Sequence, residues 1–257
     1  MNGDIGYVGL ALSAVLIAVA IAISALQQLG LTRNLIEAGA RALGQLLLVG
    51  WALELVVDPD KPLVWSWLWV VVMVVFATLT MRRRAPNTPG VAPLTFAAFT
   101  AALVIAIGVL FGLGVFDLNG RTLVPLAGMV VGNSISTTAL VARRITDEFI
   151  DKREEIEARL ALGQSGTTAA RPYLRSALQT ALIPQIETTK SVGVVFLPGA
   201  MVGLILAGAD PMQAVKVQVA VMYTILGSVA TTTTVIALGL GRMAFTDDQR
   251  LRRWTRA

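Results

Sequence analysis

Apolar runs long enough to cross a hydrocarbon layer recur along almost the whole chain, and they constrain its fold more than any other feature. A layer of ~30 Å takes roughly 20 helical residues to span. Run length predicts spans over residues 7–29, 35–57, 63–81, 91–115, 122–141, 191–209 and 217–240. The composition is 55% hydrophobic and 14% charged, a balance that no soluble domain of this size needs to fill its core. Inside a bilayer the backbone polar groups must be satisfied by the chain itself. The expected fold is therefore all-α, a polytopic bundle of seven transmembrane helices forming one membrane domain over residues 1–257.

The connectors between these runs are of two kinds, and they alternate. Arg33, the MRRRAPNTPG stretch, the segment 143–189 and the C-terminal tail hold most of the basic residues, whereas DPDK, FDLNG and GADP hold only Lys61 and Arg121. By the positive-inside rule the first kind is cytoplasmic. The N-terminus is then outside and the C-terminus inside, as an odd number of spans requires, and the expected location is the cell inner membrane. This placement also accounts for the net charge of +5, so no nucleic-acid partner is implied. MNGDIGYVGL carries no basic residue before its apolar run and reads as a retained first helix rather than a cleaved signal.

Cysteine and histidine are both absent. That excludes disulfides, thiolate chemistry, zinc sites of the usual ligand set and a histidine proton relay, and no metal site is expected. No G-x-x-x-x-G-K-[ST], G-x-S-x-G or H-E-x-x-H pattern occurs, so no catalytic residue is assigned and ATP hydrolysis by these routes is excluded.

The stretch 143–189 is the one sizeable segment outside the predicted spans, and it is too small for an independent catalytic domain. In DEFIDKREEIEARLALG, Phe149, Ile156 and Leu160 recur at near-helical spacing among charges, and Gly163 is placed to end the helix. A second helix is predicted from Thr167 or Thr168 as N-cap to an exit at Pro184. The two form a helical elbow.

Polar groups within the spans are costly and tend to face protein or water. Asn133, Ser136 and Thr137 stand at i, i+3 and i+4 and share one helix face, where they serve equally as path lining or as interhelical glue. Pro198 is expected to kink the sixth span and free the carbonyl of Val194, beside a G-x-x-x-G face of Gly199 and Gly203 around Met201. Further G-x-x-x-G pairs are Gly108 with Gly112 and Gly128 with Gly132. Gln218 and Met222 lie one turn apart on the seventh span, and Thr231 to Thr234 read as structural. Glu37 and Arg41 form an i, i+4 anchor, and Glu54 is the isolated carboxylate best placed to attract a cation.

Glu157-Ala158-Arg159, followed after three residues by Gly163, resembles the E-A-A-x-x-x-G loop of ABC permeases; Glu154 and Leu162 flank it. The I-x-L-P that closes that pattern is replaced by a displaced ALIP at Pro184. VGNSISTTAL, REEIEARLALGQS, LRSALQTALIP and LPGAMVGLILAGADPMQAVKVQVAVMY, with RALGQLLLVGWALEL, are similar to the FetB/YbbM family of ABC permeases, bacterial iron exporters related to plant aluminium-tolerance permeases. The resemblance implies a homodimer of this chain with two copies of a separate ATPase. ATP and Mg would sit on that partner, and no cofactor on this chain. It also implies export of a metal ion such as iron. After the GN of the fifth span, where the family carries more small residues and methionines, this chain has Ser134, Ile135, Ser136, Thr137 and Thr138.

Two other classes are weaker. An ATP-independent secondary transporter or channel generally needs ionisable groups deep in the bilayer, and the middles of the predicted spans lack them. An intramembrane enzyme would need a nucleophile with a base or metal. Available cargo donors are carboxylate, hydroxyl, amide, carbonyl and thioether groups, which leaves hard cations, chelated metals and organic or lipid-like solutes open.

Overall fold

The computed structural model describes residues 7–56, 61–194 and 196–255. Regular structure among these residues is helical. The chain divides into two compact units, residues 1–61 and 62–257.

In the first unit, α1 (Tyr7–Leu26) and α2 (Thr32–Val56) pack as a hairpin. Its turn uses left-handed backbone at Gln28 (φ 52°) and Gly30 (φ 70°). Thr32 Oγ1 donates to the buried Ser24 Oγ at 3.3 Å, tying the ends together. A Cβ at Gly39 would meet the tip of the Ile17 side chain, so the two helices touch at this point. The hairpin covers little of its apolar surface itself, with Leu16 76% and Leu46 72% exposed. Glu37 and Arg41 are ion-paired at 2.6 Å on the exposed face of α2.

The second unit contains α3 (Val64–Arg84), α4 (Val91–Leu110), α5 (Gly120–Asp151), α6 (Arg153–Ala161), α7 (Gly166–Ser191), α8 (Gly199–Leu206) and α9 (Pro211–Met243). Local sequence sets the helix starts. Asn119 and Thr122 form a reciprocal capping box, in which Asn119 Oδ1 accepts from Thr122 N at 3.0 Å. Asp210 accepts from Gln213 N at 3.0 Å ahead of Pro211. Helix α9 runs through the middle, packed on α4, α5, α7 and α8, and α5 packs on α3, α4 and α7 as well. Small side chains let these helices approach closely: Ala77, Ala98, Ala102, Ala127, Ala139 and Ala237 are buried around Phe99, Ile145 and Leu240.

Among the described residues four helices, α3, α4, α5 and α9, are long and apolar enough to cross a membrane. They coincide with the predicted third, fourth, fifth and seventh spans. Helix α5 carries 32 residues, about 48 Å of rise, so it continues well past a hydrocarbon layer. Phe149, expected to open a separate amphipathic helix, lies on this continuation.

The predicted sixth span, 191–209, is not a helix. Helix α7 stops at Ser191, Gly193 takes φ 88°, and helix resumes only in α8, whose eight residues rise about 12 Å. The cause lies in two residue types. A left-handed glycine ends a helix, and the ring of Pro198 disfavours helical backbone at the residue before it. Pro198 (φ −62°, ψ 146°) therefore caps α8 rather than kinking a longer helix, and the kink expected at Val194 does not form. The helix expected to leave at Pro184 continues, since α7 carries both Pro172 and Pro184 inside its 26 residues. Each proline forfeits one bond of a long ladder that resumes on either side.

Candidate functional site

At the basic end, a helical layer extends beyond the apolar lengths of the bundle. It comprises the last turns of α5, all of α6, the start of α7 and a C-terminal clasp. Helix α6 buries Ile156 completely and presents Glu154, Glu157, Ala158 and Leu162 outward. Leu162 is 83% exposed, a large apolar side chain held out at the helix end. The turn after it is a complete Schellman motif: Gly163 N donates to Leu160 O at 2.9 Å, Gln164 N donates to Arg159 O at 3.2 Å, and Gly163 has φ 85°. Ser165, rather than Thr167 or Thr168, then caps α7 by accepting from Thr168 N. Arg153 pairs with Glu157 at 2.5 Å, and Arg159 lies over the Tyr173 ring at 5.9 Å.

Glu155 accepts from Lys152 Nζ at 2.7 Å and from Tyr173 OH at 3.0 Å. These bonds, Lys152 first, hold its carboxyl below the usual range and raise the Lys152 ammonium, while burial chiefly raises the Tyr173 phenol. A lowered carboxylate stabilises the fold above its unfolded pKa, and that support is lost as pH falls through the folded value. The acid limb of the melting temperature is accordingly expected to be flatter in Glu155→Gln than in the parent chain, measured by thermal unfolding across the carboxylate range. An identical slope would remove this group from the account.

The clasp is residues 244–255. Thr246 N donates to Arg250 O at 2.9 Å and Arg252 N to Ala244 O at 2.8 Å. Gln249, in left-handed backbone (φ 58°), accepts from Gly166 N at 2.6 Å and so satisfies an orphan donor at the start of α7. A Cβ at Gly166 would run into the Phe245 ring. Trp254 meets Phe149 edge-on at 5.1 Å. Sequence reading missed this clasp, whose one signal was a Phe and a Trp among the arginines of the tail.

Within the bundle the predicted polar face is turned outward. Asn133 and Ser136 are exposed and Thr137 is half-buried. Asn133 donates back to Met129 O at 2.8 Å, and Ser136 accepts from Arg84 at 3.1 Å. The buried hydroxyls are the neighbours Ser134 and Thr138. Thr138 donates to Thr232 at 3.1 Å, and Thr232 bonds to Val229 O at 3.1 Å, making a polar seam between α5 and α9. Gln218 and Met222 are also buried, and Gln218 Oε1 has no hydrogen-bond partner among the described residues. Pro198, Gly199, Met201 and Gly203 all lie at α8, which buries none of its residues. Among the described residues a Cβ at Gly199, Gly203, Gly108 or Gly132 would meet nothing within 4 Å, whereas Gly128 approaches Met73 and a Cβ at Gly112 would run into the Gly108 carbonyl. Glu54 belongs to α2, but its side chain is outside the described residues.

A largely apolar groove of 350 Å³ runs along the seam of α4 and α9, lined by Ala106, Val109, Tyr223 and Thr231. Its threonine hydroxyls are engaged locally, Thr224 to Ala220 O and Thr231 to Gly227 O, each at 2.8 Å. None of the predicted path residues lines it. Among the described residues no three carboxylates converge as a metal site would need.

Fold and site together define a helical membrane protein with a helical layer and a clasp at its basic end. The chain belongs to the Uncharacterised protein family UPF0014, which matches residues 7–245. It is 34% identical over 246 residues to the Bacillus subtilis UPF0014 membrane protein YjkA, covering 96% of this chain and 98% of that one. It is 32% identical over 228 residues to the Escherichia coli protein named "Probable iron export permease protein FetB", covering 89% and 87%. It is 30% identical over 223 residues to the Arabidopsis thaliana protein ALUMINUM SENSITIVE 3, covering 87% and 81%. No solved structure matches the chain significantly.

Proposed function

We propose that this chain is the membrane-spanning permease of an ATP-driven, ABC-type transporter of the cell inner membrane. Two copies work with two copies of a separate ATPase that holds ATP and Mg, and they export a metal ion such as iron by alternating access. The observation that carries this reading is α6. It is a nine-residue helix outside the four membrane-length helices, closed by a left-handed glycine, with Glu154, Glu157, Ala158 and Leu162 exposed together. A helix so built suits a groove on a partner, and its rigid connection through Gly163 to α7 carries a push toward the bundle. The name of the Escherichia coli relative supports iron as cargo.

Gly193 and Pro198, on either side of the break between α7 and α8, supply the joint that opens the path. Gln218 and Met222 offer an amide oxygen and a thioether within it. Because imidazole and thiolate are missing, a metal cargo travels as a hard cation or a chelate rather than as a bare soft ion. The positive-inside rule keeps the N-terminus outside and the C-terminus in the cytoplasm.

Purification of this chain from its native membrane in mild detergent tests the reading. A nucleotide-binding subunit is expected to co-purify, and its ATPase rate to respond to this chain and to iron. Leu162→Asp is expected to leave the melting temperature unchanged while weakening the partner by about tenfold or more, as removal of an apolar anchor does. A chain that purifies alone and moves solute without ATP would establish the secondary-transporter or channel class instead.

A further inference from the structure

Where α3 ends, α4 begins and α9 ends, the clasp covers an open cleft of 420 Å³. Asn87, Thr88, Met243, Arg252, Arg253 and Trp254 line it, and no carboxylate is among its described lining residues. Its two guanidiniums differ in employment. Arg252 Nε donates to Phe245 O at 3.3 Å, whereas Arg253 is exposed and forms no ion pair among the described residues. Arg82, Arg83 and Arg84, on the last turn of α3, enter the same connector just before the lining begins, so cations dominate the local field. The walls are already braced: Thr88 shares a 3.0 Å hydrogen bond with Thr146, and Trp254 rests edge-on against Phe149.

We infer that this cleft binds the phosphate of an anionic lipid headgroup, with Arg253 as its principal cation and Arg252 beside it. Guanidinium matches phosphate in charge and in bidentate geometry. The cleft's depth favours a lipid source. It lies at the connector between α3 and α4, two helices of about spanning length, just after the arginines that end α3, where headgroups are expected. Met243, 37% exposed in its wall, offers an apolar contact to the first part of an acyl chain. Trp254 has the amphipathic ring that interfaces select. The assignment is independent of any ATPase partner.

The test is native mass spectrometry of the full chain in detergent, titrated with phosphatidylglycerol, phosphatidylcholine and inorganic phosphate. One phosphatidylglycerol per chain is expected to be retained in preference to phosphatidylcholine. Arg253→Gln is expected to weaken it roughly fivefold, the effect of one cation at a membrane surface. Arg171→Gln, which removes an exposed arginine of α7 outside the cleft, is expected to leave binding unchanged. Displacement of the lipid by inorganic phosphate would keep the phosphate site and assign its source to solution. Equal retention of phosphatidylcholine, or equal losses in the two variants, would overturn the site. Docking of an acidic partner surface in its place would appear as lipid binding indifferent to Arg253. An unchanged melting temperature of Arg253→Gln separates any loss from unfolding.

Discussion

Phe149→Ala is expected to destabilise the protein by about 3–5 kcal/mol, the usual result of emptying a buried phenylalanine site. Phe149 is 2% exposed on the far end of α5, and Trp254 closes over it edge-on. This layer lies beyond the apolar length of the bundle, so the removed ring would lose its full transfer free energy from water. A lipid-facing side chain would lose much less, because hydrocarbon surrounds it either way. The clasp should suffer first. With its ring partner gone, Trp254 loses its seat, and the clasp is left to the buried Phe245 and Leu251, to Gln249 on Gly166, and to Arg153 on the carbonyls of Leu251 and Arg252, both at 3.4 Å. Trypsin should then cut at Arg250, Arg252 and Arg253 well before it attacks the bundle. Trp254→Ala, which removes a half-buried ring and one edge-on contact, should cost less, about 0.5–1.5 kcal/mol beyond its area. A Phe149→Ala protein that melts with the parent and keeps its tail protected would show that the clasp is held by something else.

Much of the fold was legible because run length and caps are local properties. Hydropathy located α3, α4, α5 and α9, and the Gly163 stop was readable because a glycine after an amphipathic stretch is the residue that left-handed backbone requires. Breaks inside apolar sequence were not legible in the same way. SVGVVFLPGAMVGLILAGA is apolar throughout, so a window average passes over Gly193 and Pro198 although those residues end α7 and delay α8. Pro184 misled in the opposite direction, since α7 tolerates it.

Which stripe of α5 meets α9 was not legible either, although Ser136 of the predicted stripe does bond to Arg84 of α3. Asn133, Ser136 and Thr137 share one stripe, and Ser134 and Thr138 share the stripe beside it. Periodicity defines both stripes equally and does not say which meets a neighbour. That is decided by α9, which supplies Thr232 opposite Thr138 from 94 positions along the chain. The clasp was hidden for a related reason. Its stability comes from contacts of Phe245, Gln249 and Trp254 with α7 and α5, and a tail of arginines has no period that announces them.

Gly163→Val should leave the bundle folded and yet disconnect it from an ATPase. A Cβ at this position would meet nothing within 4 Å, so the substitution creates no clash. What it changes is backbone preference. Gly163 sits at φ 85°, where a β-branched residue is a true outlier costing about 1–2 kcal/mol. The two bonds of the Schellman turn, Gly163 N to Leu160 O and Gln164 N to Arg159 O, depend on that φ. Their loss would let α6 change its angle to α7 and carry Leu162 away from its present direction. An affinity loss of about tenfold corresponds to roughly 1.4 kcal/mol, so a reoriented α6 should weaken the binding of the proposed ATPase at least that much and abolish its stimulation by cargo. Asparagine tolerates left-handed backbone, and Gly163→Asn should therefore retain most of the coupling. This pair separates the turn from the side chain. If both variants fail alike, the surface around Gly163 matters and its backbone does not. If Gly163→Val assembles and transports as the parent does, α6 is not where force enters the bundle, and Leu162, for all its exposure, is not an anchor for that partner.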